Sequence, residues 1–309
     1  MKKIVYILSD NRSGSTLLDQ LLGAHDRMVS LGEIHHLPAY VLQDRTLYNP
    51  AHPLDCSCGK PIGSCPFWST VEHKLGRSFA TLRLRLPLLQ QAADRRGAKR
   101  LLGTAARRLV RQHPRLFLSP FASPVFRAGI AAADSFDLFD AIFNATGADY
   151  LIDSSKDPFR FRALYDFAPT RVLGIMLGRD YRGAVYSKMK RGRDLRHSID
   201  GWVMRMRQMK VLTDGVQSRQ LLQLRYEDLC RDPRSELGRI CDFLSLDYSD
   251  SLLTRPSVDV HHLGGSPSKF DLDRKSIALD QSYLDAFNER DLATMREIAG
   301  DIATEWGYT

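Results

Sequence analysis

Residues 8–16, Leu8-Ser9-Asp10-Asn11-Arg12-Ser13-Gly14-Ser15-Thr16, end an apolar strand that begins at Ile4 and open the helix-like run Leu17-Leu18-Asp19-Gln20-Leu21-Leu22. A strand–turn–helix of this kind builds an anion site. Backbone N–H groups at the helix N-terminus have no intrahelical partner, the helix dipole favours negative charge there, and Gly14 lets the main chain come close to the anion. The nucleotide-triphosphate pattern G-x-x-x-x-G-K-[ST] is absent, because Arg12-Ser13-Gly14-Ser15-Thr16 stands where a Gly-Lys pair should precede the hydroxyl residue. That departure points away from an ATPase.

A second element follows another apolar strand, Val172-Leu173-Gly174-Ile175-Met176-Leu177. It reads Gly178-Arg179-Asp180-Tyr181-Arg182-Gly183-Ala184-Val185-Tyr186-Ser187 and sets an Arg and a Ser eight residues apart. A guanidinium at the strand's carboxyl end supplies charge and a fork of donors, and a hydroxyl two turns into the next helix supplies one more. The two elements together resemble the loops of sulfotransferases that use 3′-phosphoadenosine 5′-phosphosulfate (PAPS). Gly23-Ala24-His25 leading to Leu31-Gly32-Glu33, Asp153-Ser154-Ser155-Lys156-Asp157-Pro158-Phe159, Arg225-Tyr226-Glu227-Asp228-Leu229 and His262-Leu263-Gly264-Gly265-Ser266-Pro267-Ser268-Lys269-Phe270 extend the match. They are most similar to the tyrosylprotein and carbohydrate branches. The resemblance runs from the first strand to about residue 270 and is broken by residues 38–145.

The resemblance implies roles for individual residues. Arg12, Ser13, Gly14, Ser15 and Thr16 would hold the 5′-phosphosulfate, and Arg179 and Ser187 the 3′-phosphate. Gly264, Gly265, Ser266 and Lys269 would close over the donor as a late loop, and Tyr226 matches a cofactor-contacting tyrosine. Lys156 would neutralise the bridging oxygen of the leaving group. Glu33 would take the acceptor's proton as general base, with His35 and His36 as rivals, since a neutral imidazole suits the same task near pH 7. Sulfuryl transfer moves a group with developing negative charge between two oxygens, so positioning and electrostatics should dominate, as in phosphoryl transfer.

The architecture expected is α/β: a P-loop-like parallel sheet flanked by helices, with strands near 3–9, 149–153, 171–177 and 221–226. All four motifs then fall at strand carboxyl ends, where open α/β sheets bind ligands. Ile199, Trp202, Val203, Met206 and Met209 recur at helical spacing, as do Leu237, Ile240, Cys241 and Leu244 behind Pro233; both sets read as core faces. We expect one domain over 1–309, with 38–145 as a mainly helical insertion on the acceptor side. The longest apolar runs are strand-sized, and Met1-Lys2-Lys3 leads into a strand too soon broken by Asp10 and Arg12 to be a signal peptide, so a cytoplasmic location is expected.

Net charge is +8, yet residues 73–115 hold twelve Lys or Arg against Asp94 alone. The basic character is therefore local and marks a surface that meets something acidic: a charged acceptor, or an anionic membrane reached through an amphipathic helix pair. The acceptor is expected to be a hydroxyl, or an amine, of a small molecule, carbohydrate, lipid or peptide; nucleic acid is not the expected partner. Cys56, Cys58 and Cys65 lie in a Pro/Gly-rich loop. His52, His36 or His73 would complete a zinc set with them, but a clean pair of C-x-x-C knuckles is missing and no metal is expected. A disulfide among the three would be out of place in a reducing cytoplasm. Cys230 and Cys241 read as buried small apolar residues. Two other readings compete: a P-loop kinase of a small hydroxylated substrate, which the missing Gly-Lys disfavours, and a non-catalytic binding protein for acidic glycans or nucleic acid, which has no need of Arg12, Glu33, Lys156 and Arg179 together.

Overall fold

A strand covered on both faces must be apolar along its length, and Ile4, Val5, Tyr6, Ile7 and Leu8 are all fully buried. The computed structural model describes residues 2–44, 54–86, 98–119, 128–254, 260–265 and 277–308. Its strands are β1 (Lys3–Ser9), β2 (Met28–Gly32), β3 (Tyr150–Lys156), β4 (Val172–Gly178) and β5 (Leu221–Arg225). They form one sheet in the order β2-β3-β1-β4-β5, with every neighbouring pair parallel. The helices are α1 (Ser15–Leu22), α2 (Leu37–Val41), α3 (Pro66–Leu75), α4 (Ala98–Gln112), α5 (Ala128–Thr146), α6 (Pro158–Phe167), α7 (Tyr181–Met189), α8 (Leu195–Leu212), α9 (Tyr226–Arg231), α10 (Pro233–Leu244) and α11 (Glu289–Glu305). Among the described residues no helix is long and apolar enough to cross a membrane.

Side chains alternate along β1, so the strand feeds two cores. Ile4, Tyr6 and Leu8 pack with Phe161 of α6 and Trp202 and Met206 of α8. Val5 and Ile7 pack with Leu18 and Leu21 of α1 and Leu237, Ile240 and Leu244 of α10. The two helical faces expected from spacing are these buried faces, and Cys230 and Cys241 are buried as well. Helices α3 and α5 put Trp68, Val71, Phe139 and Phe143 into the first core, so these two helices of segment 38–145 share the sheet's own interior.

Two features of the sheet differ from expectation. Residues 28–32 form an edge strand, β2, that sequence reading passes over: Ser30 interrupts a run of only five residues. Strand β3 also runs three residues beyond 153, so Ser154, Ser155 and Lys156 are its last residues and not the turn after it. The register against β1 slips between the pairs Tyr6–Asp153 and Leu8–Lys156. A bulge of this kind re-aims a side chain at the end of a strand, and here the side chain is Lys156.

Asp19 of α1 is 1% exposed beneath the sheet, where Ser154 Oγ donates to its Oδ2 at 3.2 Å. Burial pushes its carboxyl up to about 7, offset only in part by the Ser30 and Ser154 hydroxyls. The folded chain therefore holds this proton more tightly than the unfolded chain does. The stability it confers is full below about pH 4 and is lost as pH rises through about 7, a change on the order of 2–4 kcal/mol. Thermal unfolding of Asp19→Asn is accordingly expected to show a flatter dependence of Tm on pH between 5 and 8 than the wild type shows. Parallel curves would refute the assignment.

Candidate active site

All five strands end at the same edge, and each hands a named residue to it. Arg12 follows β1, Glu33 follows β2, Lys156 ends β3, Arg179 follows β4 and Tyr226 follows β5. Strand β1 lies between β3, reached from one direction of the chain's path, and β4, reached from the other, so the crevice beside it is the topological switch point of the sheet.

The loop at the head of α1 is shaped for an anion. Gly14 caps the helix at φ 84° without a side-chain hydrogen bond, and no acidic residue occupies the first turn. A Cβ on Gly14 would lie 2.3 Å from Cδ2 of Tyr226, so position 14 admits only glycine. Ser13 is 1% exposed, and its Oγ finds no partner among the described residues, a costly orphan that a ligand oxygen would satisfy. Arg12 (φ 71°) and Lys156 (φ 68°) are two of the four described non-glycine residues in the left-handed region. Such conformations cost of order 1–3 kcal/mol each and gather at functional sites.

Glu33 and Lys156 meet as a partly buried ion pair, Lys156 Nζ donating to Glu33 Oε1, with side chains 16% and 12% exposed. Gly265 N–H donates to the same oxygen at 3.1 Å, and His36 Nε2 stands 3.3 Å from Glu33 Oε2. Burial alone would raise the Glu33 carboxyl, but the Lys156 ammonium and His36 hold it well below the usual carboxylate range. Burial, opposed by Glu33 and aided by Arg85, lowers His36 to about 4, so its ring is neutral at pH 7. Arg85 donates to His36 Nδ1 at 2.6 Å. His35 stacks on His36 at 3.9 Å between ring centres, and burial with His36 and Arg85 also holds it well below the usual value. The structure thus puts His36, and not His35, against Glu33.

The two anion elements converge. Arg12 Nε donates to Ser187 Oγ at 2.9 Å, and Arg179 Nη1 donates to the Arg12 carbonyl at 2.9 Å. The Arg179 guanidinium lies 4.7 Å from the centre of the Tyr226 ring and pairs with Asp280 at 3.3 Å, while its Nε is buried without a partner among the described residues. Burial, then Arg191 and Arg179, lowers the pKa of Arg12, the signature of cations crowded where an anion would relieve them. Trp202 Nε1 donates to the Arg179 carbonyl at 3.1 Å, and Glu227 accepts from Asp180 N–H at 2.9 Å. The chain matches the model of the Sulfotransferase family over residues 75–250.

The protein belongs to the sulfotransferase family. The match takes in Lys156, Arg179, Ser187 and Tyr226 and begins inside the segment that sequence reading left unaligned; Arg12–Thr16 and Glu33 lie outside it. Among solved structures, the sulfotransferase domain from the curacin biosynthetic pathway superposes with a TM-score of 0.59 at 19% identity, covering 100% of this chain and 99% of that one. The sulfotransferase domain from the Synechococcus PCC 7002 olefin synthase gives 0.58 at 21%, covering 100% and 97%. At these identities the likeness is one of fold. No curated protein sequence matches the chain.

Arg12, Ser13, Gly14, Ser15, Thr16, Glu33, Lys156, Arg179, Ser187, Tyr226, Gly264 and Gly265 are all gathered at this sulfotransferase edge. Tyr226 serves it from behind, filling the space that Gly14 leaves and lying under Arg179. Ser266 and Lys269 lie outside the described residues. Gly264 N–H donates to the Tyr40 hydroxyl at 2.9 Å, and Gly265 packs against Thr16. Of the basic residues after Arg179, Arg182 is paired to Asp180 and Lys188 to Asp10. Sequence reading missed Asp280, and it counted Arg85 only within the basic stretch 73–115 without its His36 partner. Neither carries a local signal, since each matters only through a partner far along the chain.

Proposed function

We propose that this sulfotransferase moves a sulfuryl group from PAPS to a hydroxyl acceptor, with Glu33 as general base. The observation that carries the reading is the junction of Arg12, Ser187 and Arg179: two guanidiniums and a hydroxyl held together at 2.9 Å contacts, beside an uncapped helix N-terminus. A donor with phosphate groups at both its 5′ and 3′ ends accounts for both clusters of positive charge at once, whereas ATP leaves the Arg179 cluster without an anion.

In this reading the backbone of Ser13–Thr16 and Arg12 hold the 5′ end, and Arg179 and Ser187 hold the 3′-phosphate. Glu33 accepts the hydroxyl proton as the acceptor oxygen bonds to sulfur. The bond from sulfur to the donor's phosphate oxygen breaks, and Lys156 neutralises the charge left there, giving a sulfate ester and 3′-phosphoadenosine 5′-phosphate (PAP). Lys156 cannot serve the leaving oxygen and Glu33 equally, so donor binding draws it from the carboxylate and raises the proton affinity of Glu33 toward what a base needs. Arg85, from the basic stretch 73–115, reaches His36 beside Glu33, which supports segment 38–145 as the acceptor side. Calorimetry with PAP and ATP tests the donor: PAP is expected to bind much more tightly, and equal affinity or a preference for ATP would favour a kinase.

A further inference from the structure

The donor site leaves one chemical cluster unused. Cys56, Cys58 and Cys65 are unbridged thiols in the loop between α2 and α3, and His261, about 200 residues later, closes on them. Cys65 Sγ lies 3.7 Å from Cys58 Sγ and 3.8 Å from Cys56 Sγ. His261 Nδ1 lies 3.3 Å from Cys65 Sγ and 3.5 Å from Cys56 Sγ. A tetrahedron with Zn–S near 2.3 Å and Zn–N near 2.05 Å has S···S edges of about 3.8 Å and S···N edges of about 3.5 Å. The four distances match those edges, and all four ligand atoms lie within 4.8 Å of one another.

The geometry points to a structural zinc site formed by Cys56, Cys58, Cys65 and His261. Four protein ligands leave no open position, which is the mark of a structural and not a catalytic zinc, and soft thiolates with an imidazole select zinc over magnesium or calcium. The loop is folded for it. Cys56 N–H donates to the Lys60 carbonyl at 2.9 Å and Gly59 N–H to the Cys56 carbonyl at 2.8 Å, a tight turn that brings Cys56 and Cys58 to one side. The His261 ring is held by stacking on Phe67, 4.9 Å between centres and 1° from parallel. The expected partners His36 and His73 are not the fourth ligand: His36 is engaged with Glu33 and Arg85, and His73 lies on α3 outside the cluster. His52 lies outside the described residues.

The site has a place in the architecture. Beyond His261 the chain runs straight to the active edge: His262 N–H donates to Ser57 Oγ, Leu263 N–H to the Leu31 carbonyl, Glu33 N–H to the Leu263 carbonyl and Gly265 N–H to Glu33 Oε1. A Cβ on Gly32 would lie 2.1 Å from the Leu263 carbonyl oxygen, so this approach depends on glycine. Zinc would therefore clasp the start of the late loop to the body of the protein, one turn of chain from Glu33. This positioning role rests on the donor-site reading, whereas the metal site does not.

Metal analysis of the full chain, purified without chelator, tests the site. The expected result is close to one zinc per chain, its loss in His261→Asn and in Cys58→Ser, and visible d–d bands of tetrahedral cobalt when cobalt replaces zinc. Cys58 is exposed, so its substitution leaves the core intact even where the His261 variant folds poorly. Wild-type protein that holds no metal after zinc is supplied, a disulfide among the three cysteines found by mass spectrometry, or full metal content in both variants would each overturn the proposal. Stripping zinc is further expected to lower Tm and weaken PAP binding. If Tm falls and PAP binding does not change, the clasp stands and its link to the donor site fails.

Discussion

Glu33→Gln is expected to lower kcat by roughly 10²–10⁴-fold, the range for loss of a general base, with PAP binding close to that of the wild type. Glutamine keeps an oxygen where Lys156 Nζ and Gly265 N–H donate, so the local hydrogen bonds and the late loop survive. What it removes is the ability to take a proton. The Lys156 and His36 contacts that outweigh burial keep Glu33 ionised in the free enzyme across the pH range of ordinary assays. A carboxyl lowered in the folded state contributes stability above its unfolded value and loses it as pH falls, so the contribution of Glu33 is present at neutral pH and declines in acid. Kinetics of His36→Asn and His35→Asn beside it complete the test. Near-normal turnover of Glu33→Gln with collapse of His36→Asn would move the base to the imidazole, which is neutral at pH 7 and stands 3.3 Å from the carboxylate.

Arg179→Ala is expected to weaken PAP binding about tenfold or more and to leave AMP binding nearly unchanged. A charge-assisted hydrogen bond is worth about 1.5–3 kcal/mol, and every 1.4 kcal/mol is a factor of ten. The variant keeps the strand end in place, because Trp202 bonds the backbone carbonyl of residue 179 and Glu227 bonds the N–H of Asp180. It loses the contact to the Arg12 carbonyl and leaves Asp280 without its cation. Calorimetry of both nucleotides against both proteins reads the effect as a ratio that cancels general damage to the site. A wild type that binds AMP as tightly as PAP would remove the 3′-phosphate from this element.

The central strands and the two anion elements were legible because their signals are local. Ile4–Leu8 and Val172–Leu177 are unbroken apolar runs, as a strand buried on both faces must be, and the residues after each are polar and rich in donors. Edge strand β2 was not legible: five residues with a serine in the middle carry neither an apolar run nor a clean alternation. The site's pairings were hidden for a different reason. Glu33 and Lys156 are 123 residues apart, Arg12 and Ser187 are 175, and Cys56 and His261 are 205. Residue types at such separations are visible in the sequence, but which of nine histidines meets three cysteines is decided by the path of the late loop along Gly32. Tyr226 shows the same limit, since nothing in Arg225-Tyr226-Glu227 says that its ring fills the space above Gly14.

The measurement that bears most directly on the account follows radioactive sulfur from labelled PAPS into a cell extract offered as acceptor, with wild type and Glu33→Gln side by side and γ-labelled ATP as the competing donor. The account predicts a labelled sulfate ester and matching release of PAP with the wild type, little product with the variant and none from ATP. Transfer of label from ATP, or equal sulfation by the variant, would contradict it.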